Sequence, residues 1–149
     1  MTKAPNFALN DSKGNLVQLS SFLGKKTVVL FFYPKDNTSG CTAEACSFRD
    51  NYVGFKAYQA EILGISSDSE ASHQDFGAKH NLPFPLLADT NGAVAKQYGL
   101  KAKLFGLIKD RATFVIDRDG IIRLAFSSQL MPHRHIDEAL RAVQQLPAE

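Results

Sequence analysis

Thr27-Val28-Val29-Leu30-Phe31-Phe32-Tyr33-Pro34 is the stretch on which the fold turns. Its apolar positions run without alternation, and β-branched and aromatic residues dominate it. A strand buried on one face alternates; a continuous apolar run belongs to a strand covered on both, as at the centre of an α/β sheet. Pro34 has no N–H for a ladder and stops the strand. Open α/β sheets place their sites just beyond the carboxyl ends of strands, so the residues after Pro34 are the first place to look for chemistry.

On the N-terminal side, Phe7-Ala8-Leu9 and Leu16-Val17-Gln18-Leu19 flank a polar turn carrying Asp11, Ser12 and Gly14, which predicts a β-hairpin. On the other side, Ala45, Phe48, Tyr52 and Phe55 recur at helical spacing and predict one helix over residues 42–58. Residues 61–66 read as a short strand, and Ser69 or Ser72 can cap a helix running toward His80. Residues 85–88 form another strand, and residues 91–98 a short helix closed by Gly99. Residues 112–117 and 121–126 flank Arg118-Asp119-Gly120, a hairpin signal. Ile136, Leu140 and Val143 lie on one face of an amphipathic helix over 136–146. Strands alternating with helices, then a late hairpin, predict a three-layer α/β domain with a mixed central sheet and an N-terminal β-hairpin, spanning residues 1–149.

Composition narrows the classes. With 149 residues, 44% of them hydrophobic and 21% charged, and with 10 Gly and 6 Pro, the chain is neither collagen-like, low-complexity nor disordered. It has the length for one domain whose core needs no disulfide staples. Lys+Arg total 17 against 15 for Asp+Glu, and the charges are interspersed, unlike the basic stripe of a nucleic-acid binder. The one local excess, Lys101, Lys103, Lys109 and Arg111 around the apolar residues 104–108, reads as solvated surface for the lysines. No stretch approaches the roughly 20 apolar residues of a spanning helix. Residues 1–6 lack a hydrophobic signal region. A soluble protein is expected, of a bacterial cytoplasm or of a plastid-type compartment reached by a transit peptide already removed.

The two cysteines follow the central strand directly, in Pro34-Lys35-Asp36-Asn37-Thr38-Ser39-Gly40-Cys41-Thr42-Ala43-Glu44-Ala45-Cys46. Cys41 falls in the first turn of the predicted helix, where unpaired N–H groups and the dipole favour an anion, and a thiolate is such an anion. Gly40 lets backbone approach a ligand closely. Cys46 lies five residues on, so in an intact helix the two Cα atoms are roughly 8–9 Å apart on different faces. A disulfide needs a separation below about 7 Å, so the pair can bond only if the helix start unwinds. Residue types alone leave other readings open. Cys46, beside Ala45 and Phe48, suits an inert core cysteine. A zinc- or partner-binding module would recruit Cys41, Cys46, His133 and His135. A protein thiol–disulfide oxidoreductase or redox sensor would use the same pair without a Cys-x-x-Cys motif. His73, His80, His133 and His135 read as surface or packing residues, and Lys35 and Glu44 as solvated or structural.

These residues resemble the peroxiredoxins, thiol peroxidases of thioredoxin-like fold. Pro34-x-x-x-Thr38-x-x-Cys41 matches their signature, and Cys41-Thr42-x-Glu44-Ala45-Cys46-x-Phe48-Arg49-Asp50 is similar to the Q-type, or bacterioferritin comigratory protein, subfamily. The likeness extends to Ala4-Pro5-Asn6-Phe7, Leu63-Gly64-Ile65-Ser66, Leu82-Pro83-Phe84 and Arg111-Ala112-Thr113-Phe114. Leu104-Phe105-Gly106 and His135-Ile136-Asp137-Glu138 resemble the cyanobacterial and plastid members in particular. The resemblance implies a peroxidatic Cys41, a resolving Cys46, an active-site Arg111 that favours the thiolate, Thr38 bonding thiolate or peroxide, and Pro34 shielding the site. It implies hydrogen peroxide or organic hydroperoxides as substrate, thioredoxin or a similar dithiol as reductant, no cofactor or metal, and a monomer. Ser39 stands where the subfamily commonly has proline.

Overall fold

The computed structural model describes residues 3–100, 111–127 and 132–146. The lysine-flanked segment 101–110 and the side chain of His133 lie outside these. Strands β1 (Ala8–Asn10) and β2 (Leu16–Gln18) form the expected antiparallel hairpin as a sheet of their own. The main sheet contains β3 (Thr27–Phe32), β4 (Ala60–Ser66), β5 (Leu86–Ala88), β6 (Ala112–Ile116) and β7 (Ile122–Ser127), in the order β5-β4-β3-β6-β7. β3, β4 and β5 are parallel; β6 runs antiparallel to β3, and β7 to β6. This is a thioredoxin-like α/β arrangement with a mixed sheet.

β3 is buried at every position, and its side chains divide between two cores. Val29, Phe31 and Tyr33 meet Ala45 and Phe48 of α1 (Ser39–Asp50), Phe55 of α2 (Tyr52–Ala57), Phe76 of α3 (Glu70–His80), and Ile136, Ala139 and Val143 of α5 (Pro132–Gln145). Val28, Leu30 and Phe32 meet the hairpin side, Phe7 and Leu19, and Val94 and Ala95 of α4 (Ala93–Gln97). Two covered faces explain why the sequence run has no alternation. Phe31 stacks on Phe48 at 4.7 Å between ring centroids and pairs in register with Gly64 of β4. A Cβ on Gly64 would come within 2.7 Å of the Phe31 ring, so glycine is what makes room for it.

Two local expectations need correction. The helix expected over 42–58 is two: it begins at Ser39 and breaks at Asn51, whose amide donates to the Ser47 carbonyl at 2.8 Å and competes with the helical ladder. The last helix starts earlier, at Pro132, because proline suits a first helical turn whose N–H groups are unpaired anyway. Ser69 rather than Ser72 caps α3, its hydroxyl accepting from the Ser72 N–H at 3.1 Å.

Candidate active site

Cys41 is the third residue of α1, just past the carboxyl end of β3, and is 1% exposed. Antiparallel pairing puts Phe32 opposite Ala112, so the start of β6 lies at the end of β3 and delivers Arg111 to Cys41 across 70 positions of sequence. The Arg111 Nη2 donates to Cys41 Sγ at 3.3 Å, and Nη1 donates to Glu44 Oε1 at 2.7 Å. Arg111 is 5% exposed, and its Nε makes no hydrogen bond among the described residues. Burial works against its charge, but the charges of Glu44 and Cys41 and its bonds to both outweigh this and push the guanidinium above its already high range. Gly40 has a definite task here: a Cβ on it would lie 2.9 Å from Nη2.

Glu44 shares a helix face with Cys41, three residues on, and is fully buried. The solvated reading of it is therefore overturned. Burial pushes its carboxyl up to about 8, against the downward pull of Arg111. Its second oxygen, Oε2, makes no hydrogen bond among the described residues and faces Nδ1 of His135 on α5 at 3.4 Å. That nitrogen is hydrogen-bonded with Thr113 Oγ1 of β6 at 2.7 Å.

A second buried network holds the loop between β3 and α1. Tyr33 Oη donates to Asp36 Oδ1 at 2.6 Å, Ser72 Oγ donates to Oδ2 at 2.8 Å, and His73 Nδ1 lies 2.8 Å from the same Oδ2. The Asp36 N–H donates to Asp68 Oδ2 at 2.7 Å, and Asn37 turns through a left-handed φ of 64°, a region asparagine tolerates. Burial acts to raise the Asp36 carboxyl, but bonds from His73, Tyr33 and Ser72 prevail and hold it below its ordinary range. The ligating atoms of Asp36, Asp68 and His73 cluster within 4.8 Å. However, His73 Nε2 faces the Leu87 carbonyl at 3.0 Å, so both ring nitrogens are already turned toward protein oxygens.

Among the residues singled out from sequence, Cys41 and Arg111 are thus in contact. Cys46 is a free, half-buried thiol on the same unbroken helix. Pro34 is half-buried, and Thr38 is the exposed residue before α1, its hydroxyl donating to the Lys35 carbonyl at 3.0 Å. His73 and His135 are fully buried, so of the surface and packing readings only packing holds for them. The ligating atoms of Cys41, Cys46 and His135 do not form the cluster the zinc reading needs. Sequence reasoning missed Asp36, Thr113 and His135 as members of these networks; the one available signal was Glu44, a charged residue on the face of α1 that carries Ala45, Phe48 and Cys41.

The AhpC/TSA family model matches residues 1–125. The chain is 47% identical over 142 residues to the chloroplastic peroxiredoxin Q of Sedum lineare, covering 95% of this chain and 76% of that protein. It is 47% identical to the chloroplastic peroxiredoxin Q of Oryza sativa subsp. japonica, of whose length it spans 65%, less than two thirds. Among solved structures, the peroxidoxin BcpB of Mycobacterium tuberculosis superposes with a TM-score of 0.92 at 38% identity, over 98% of this chain and 96% of that one. The bacterioferritin comigratory protein of Xanthomonas campestris, whose structures concern its alkyl peroxide reduction activity, gives a TM-score of 0.84 at 32% identity over 93% and 90% of the two chains.

Proposed function

The chain belongs to the AhpC/TSA family, among peroxiredoxins of the Q type, and on that ground we propose that it is a thiol-dependent peroxidase in which Cys41 is peroxidatic and Cys46 resolving. The observation that carries this reading is the Arg111 contact at 3.3 Å on a thiol at a helix N-terminus. A fixed guanidinium and the helix dipole both favour a sulfur anion. The bare Nε–H of Arg111 is a buried donor available to the oxygens of an incoming peroxide. Because Cys41 is 1% exposed, a small hydroperoxide suits it as a partner better than a protein disulfide does.

The Cys41 thiolate attacks one peroxide oxygen, the O–O bond breaks, and the leaving oxygen takes a proton as water or alcohol. Cys41 is left as a sulfenic acid. Unwinding of the start of α1 then lets the Cys46 sulfur attack Cys41, and water leaves as the disulfide forms. An external dithiol, of which thioredoxin is the type, restores both thiols by exchange. Thr38 bonds the thiolate or peroxide once its hydroxyl turns from Lys35, and Pro34 keeps water from the sulfur. Alkyl hydroperoxides, as reduced by the Xanthomonas relative, join hydrogen peroxide as substrates. The protein works as a monomeric single domain, in a bacterial cytoplasm or a plastid-type compartment.

Peroxide consumption with a thioredoxin system tests the reading. Cys41→Ser abolishes it, whereas Cys46→Ser keeps the first oxidation and stops turnover. Stoichiometric peroxide lowers the wild-type mass by about 2 Da, the signature of a disulfide. Full activity in the Cys41 variant overturns the assignment.

A further inference from the structure

We propose that His135 of α5 is a positioning residue for the Cys41 reaction, acting through Glu44 to hold Arg111 against the sulfur. The inference rests on the reading of Cys41 given above. Four contacts form one buried chain from the last helix to the thiol: Thr113 Oγ1 to His135 Nδ1 at 2.7 Å, His135 Nδ1 to Glu44 Oε2 at 3.4 Å, Glu44 Oε1 to Arg111 Nη1 at 2.7 Å, and Arg111 Nη2 to Cys41 Sγ at 3.3 Å. His135, Glu44 and Thr113 are each 0% exposed, so bulk water does not reach these partners.

Arg111 is held at two points, and one of them is the reactive sulfur. Its hold on Cys41 therefore depends on how firmly Glu44 is fixed. Oε1 is committed to Arg111, while Oε2 makes no hydrogen bond of its own among the described residues, an unusual and costly condition for a buried carboxyl oxygen. Nδ1 of His135 is the polar atom that faces it, and Thr113 fixes that ring in turn. Without the imidazole, Oε2 faces an apolar wall, Glu44 is free to turn, and Arg111 follows it.

The experiment measures the rates at which Cys41 reacts with hydrogen peroxide and with iodoacetamide, all in a Cys46→Ser background so that one thiol reports. His135→Leu slows both by about tenfold, within the coupling range of side chains sharing one network. His135→Asn, whose amide places a polar atom where Nδ1 stood, recovers most of the loss; His135→Gln, whose amide reaches further out, does not. In a Glu44→Met background, His135→Leu costs nothing more. Thr113→Val, a gentler change, reproduces part of the loss should the leucine variant fold poorly. Unchanged rates in both His135→Leu and Thr113→Val overturn the proposal, as does an equal loss with and without Glu44. Because alkylation needs no peroxide, a protein inactive toward peroxide would refute the peroxidase reading while leaving this relay to be judged by the iodoacetamide rates.

Discussion

Glu44 provides the most quantitative forecast. Its carboxyl is fully buried and raised from 4.5 to about 8. Between those values the folded chain keeps a proton that the unfolded chain has released. Stability therefore falls as pH rises through this window, the reverse of the usual paired carboxylate. Over about 3.5 pH units at about 1.4 kcal/mol each, the whole effect is on the order of 5 kcal/mol, of which about 4 kcal/mol falls between pH 5 and pH 9. Glu44→Gln removes the titration while keeping an oxygen for Arg111. Urea unfolding of the reduced protein, followed by far-UV circular dichroism at pH 5, 7 and 9, gives the stability of both chains. The parent is expected to lose stability relative to the variant as pH rises, more between pH 5 and pH 7 than between pH 7 and pH 9, levelling off above the raised value. Subtracting the variant cancels the other titrating groups. A difference level within about 1 kcal/mol across the range refutes a proton buried at this position.

Gly40→Ala forces a methyl to within 2.9 Å of Arg111 Nη2, whose guanidinium Glu44 holds on the other side. Peroxide reactivity of Cys41 is expected to fall about tenfold to a hundredfold while helix content is kept, since alanine is the better helix former; stopped-flow rates and circular dichroism check both. Asp36→Asn takes a carboxylate acceptor from the buried Tyr33, Ser72 and His73 and is expected to cost about 1–3 kcal/mol. Because Asp36 is held below its ordinary range, its stabilisation is present above that range and lost as pH falls through the lowered value, so acid unfolding of the variant should be flatter. One equivalent of peroxide should strip amide-exchange protection from residues 42–46 of α1 while α5 keeps its own, which mass spectrometry of exchanged peptides can resolve.

The fold was legible because its signals are local. The unbroken apolar run of β3, the turn residues of the two hairpins and the 3.6-residue spacing in α1 and α5 each report their own burial. Cys41 was legible for the same reason, since a helix start after a central strand is a statement about neighbouring residues. Arg111 was marked by resemblance, and its physical basis, the antiparallel pairing of β6 with β3, is a non-local fact. The buried polar residues were the hardest. Asp36, Glu44, His73 and His135 look like surface residues one at a time, because burial of a charge makes sense only once its partner is known. Asn51 shows the smaller version: its side chain competes for the helix ladder, and hydrophobic spacing ran straight through the break.

Glu44 lies between the two cysteines on α1, and this constrains how the site can operate. Cys41 and Cys46 cannot bond while the helix is intact. Unwinding the segment that joins them removes Glu44 from Arg111 and from His135, because the carboxylate cannot keep its place once its backbone has left the helix. The contact that holds Arg111 on the reduced sulfur and the proposed Cys41–Cys46 disulfide are therefore mutually exclusive. On the other side of Cys41 the loop is pinned differently: Asp36 is bound to Tyr33, Ser72 and His73, none of which lies on α1. Unwinding of the helix start therefore need not break those bonds. The two buried networks thus have opposite duties. In the proposed cycle the network through Glu44 breaks whenever the disulfide forms, because Glu44 lies on the segment that joins the two cysteines. The other is made by Tyr33 and by Ser72 and His73 of α3, elements that unwinding of the start of α1 leaves in place.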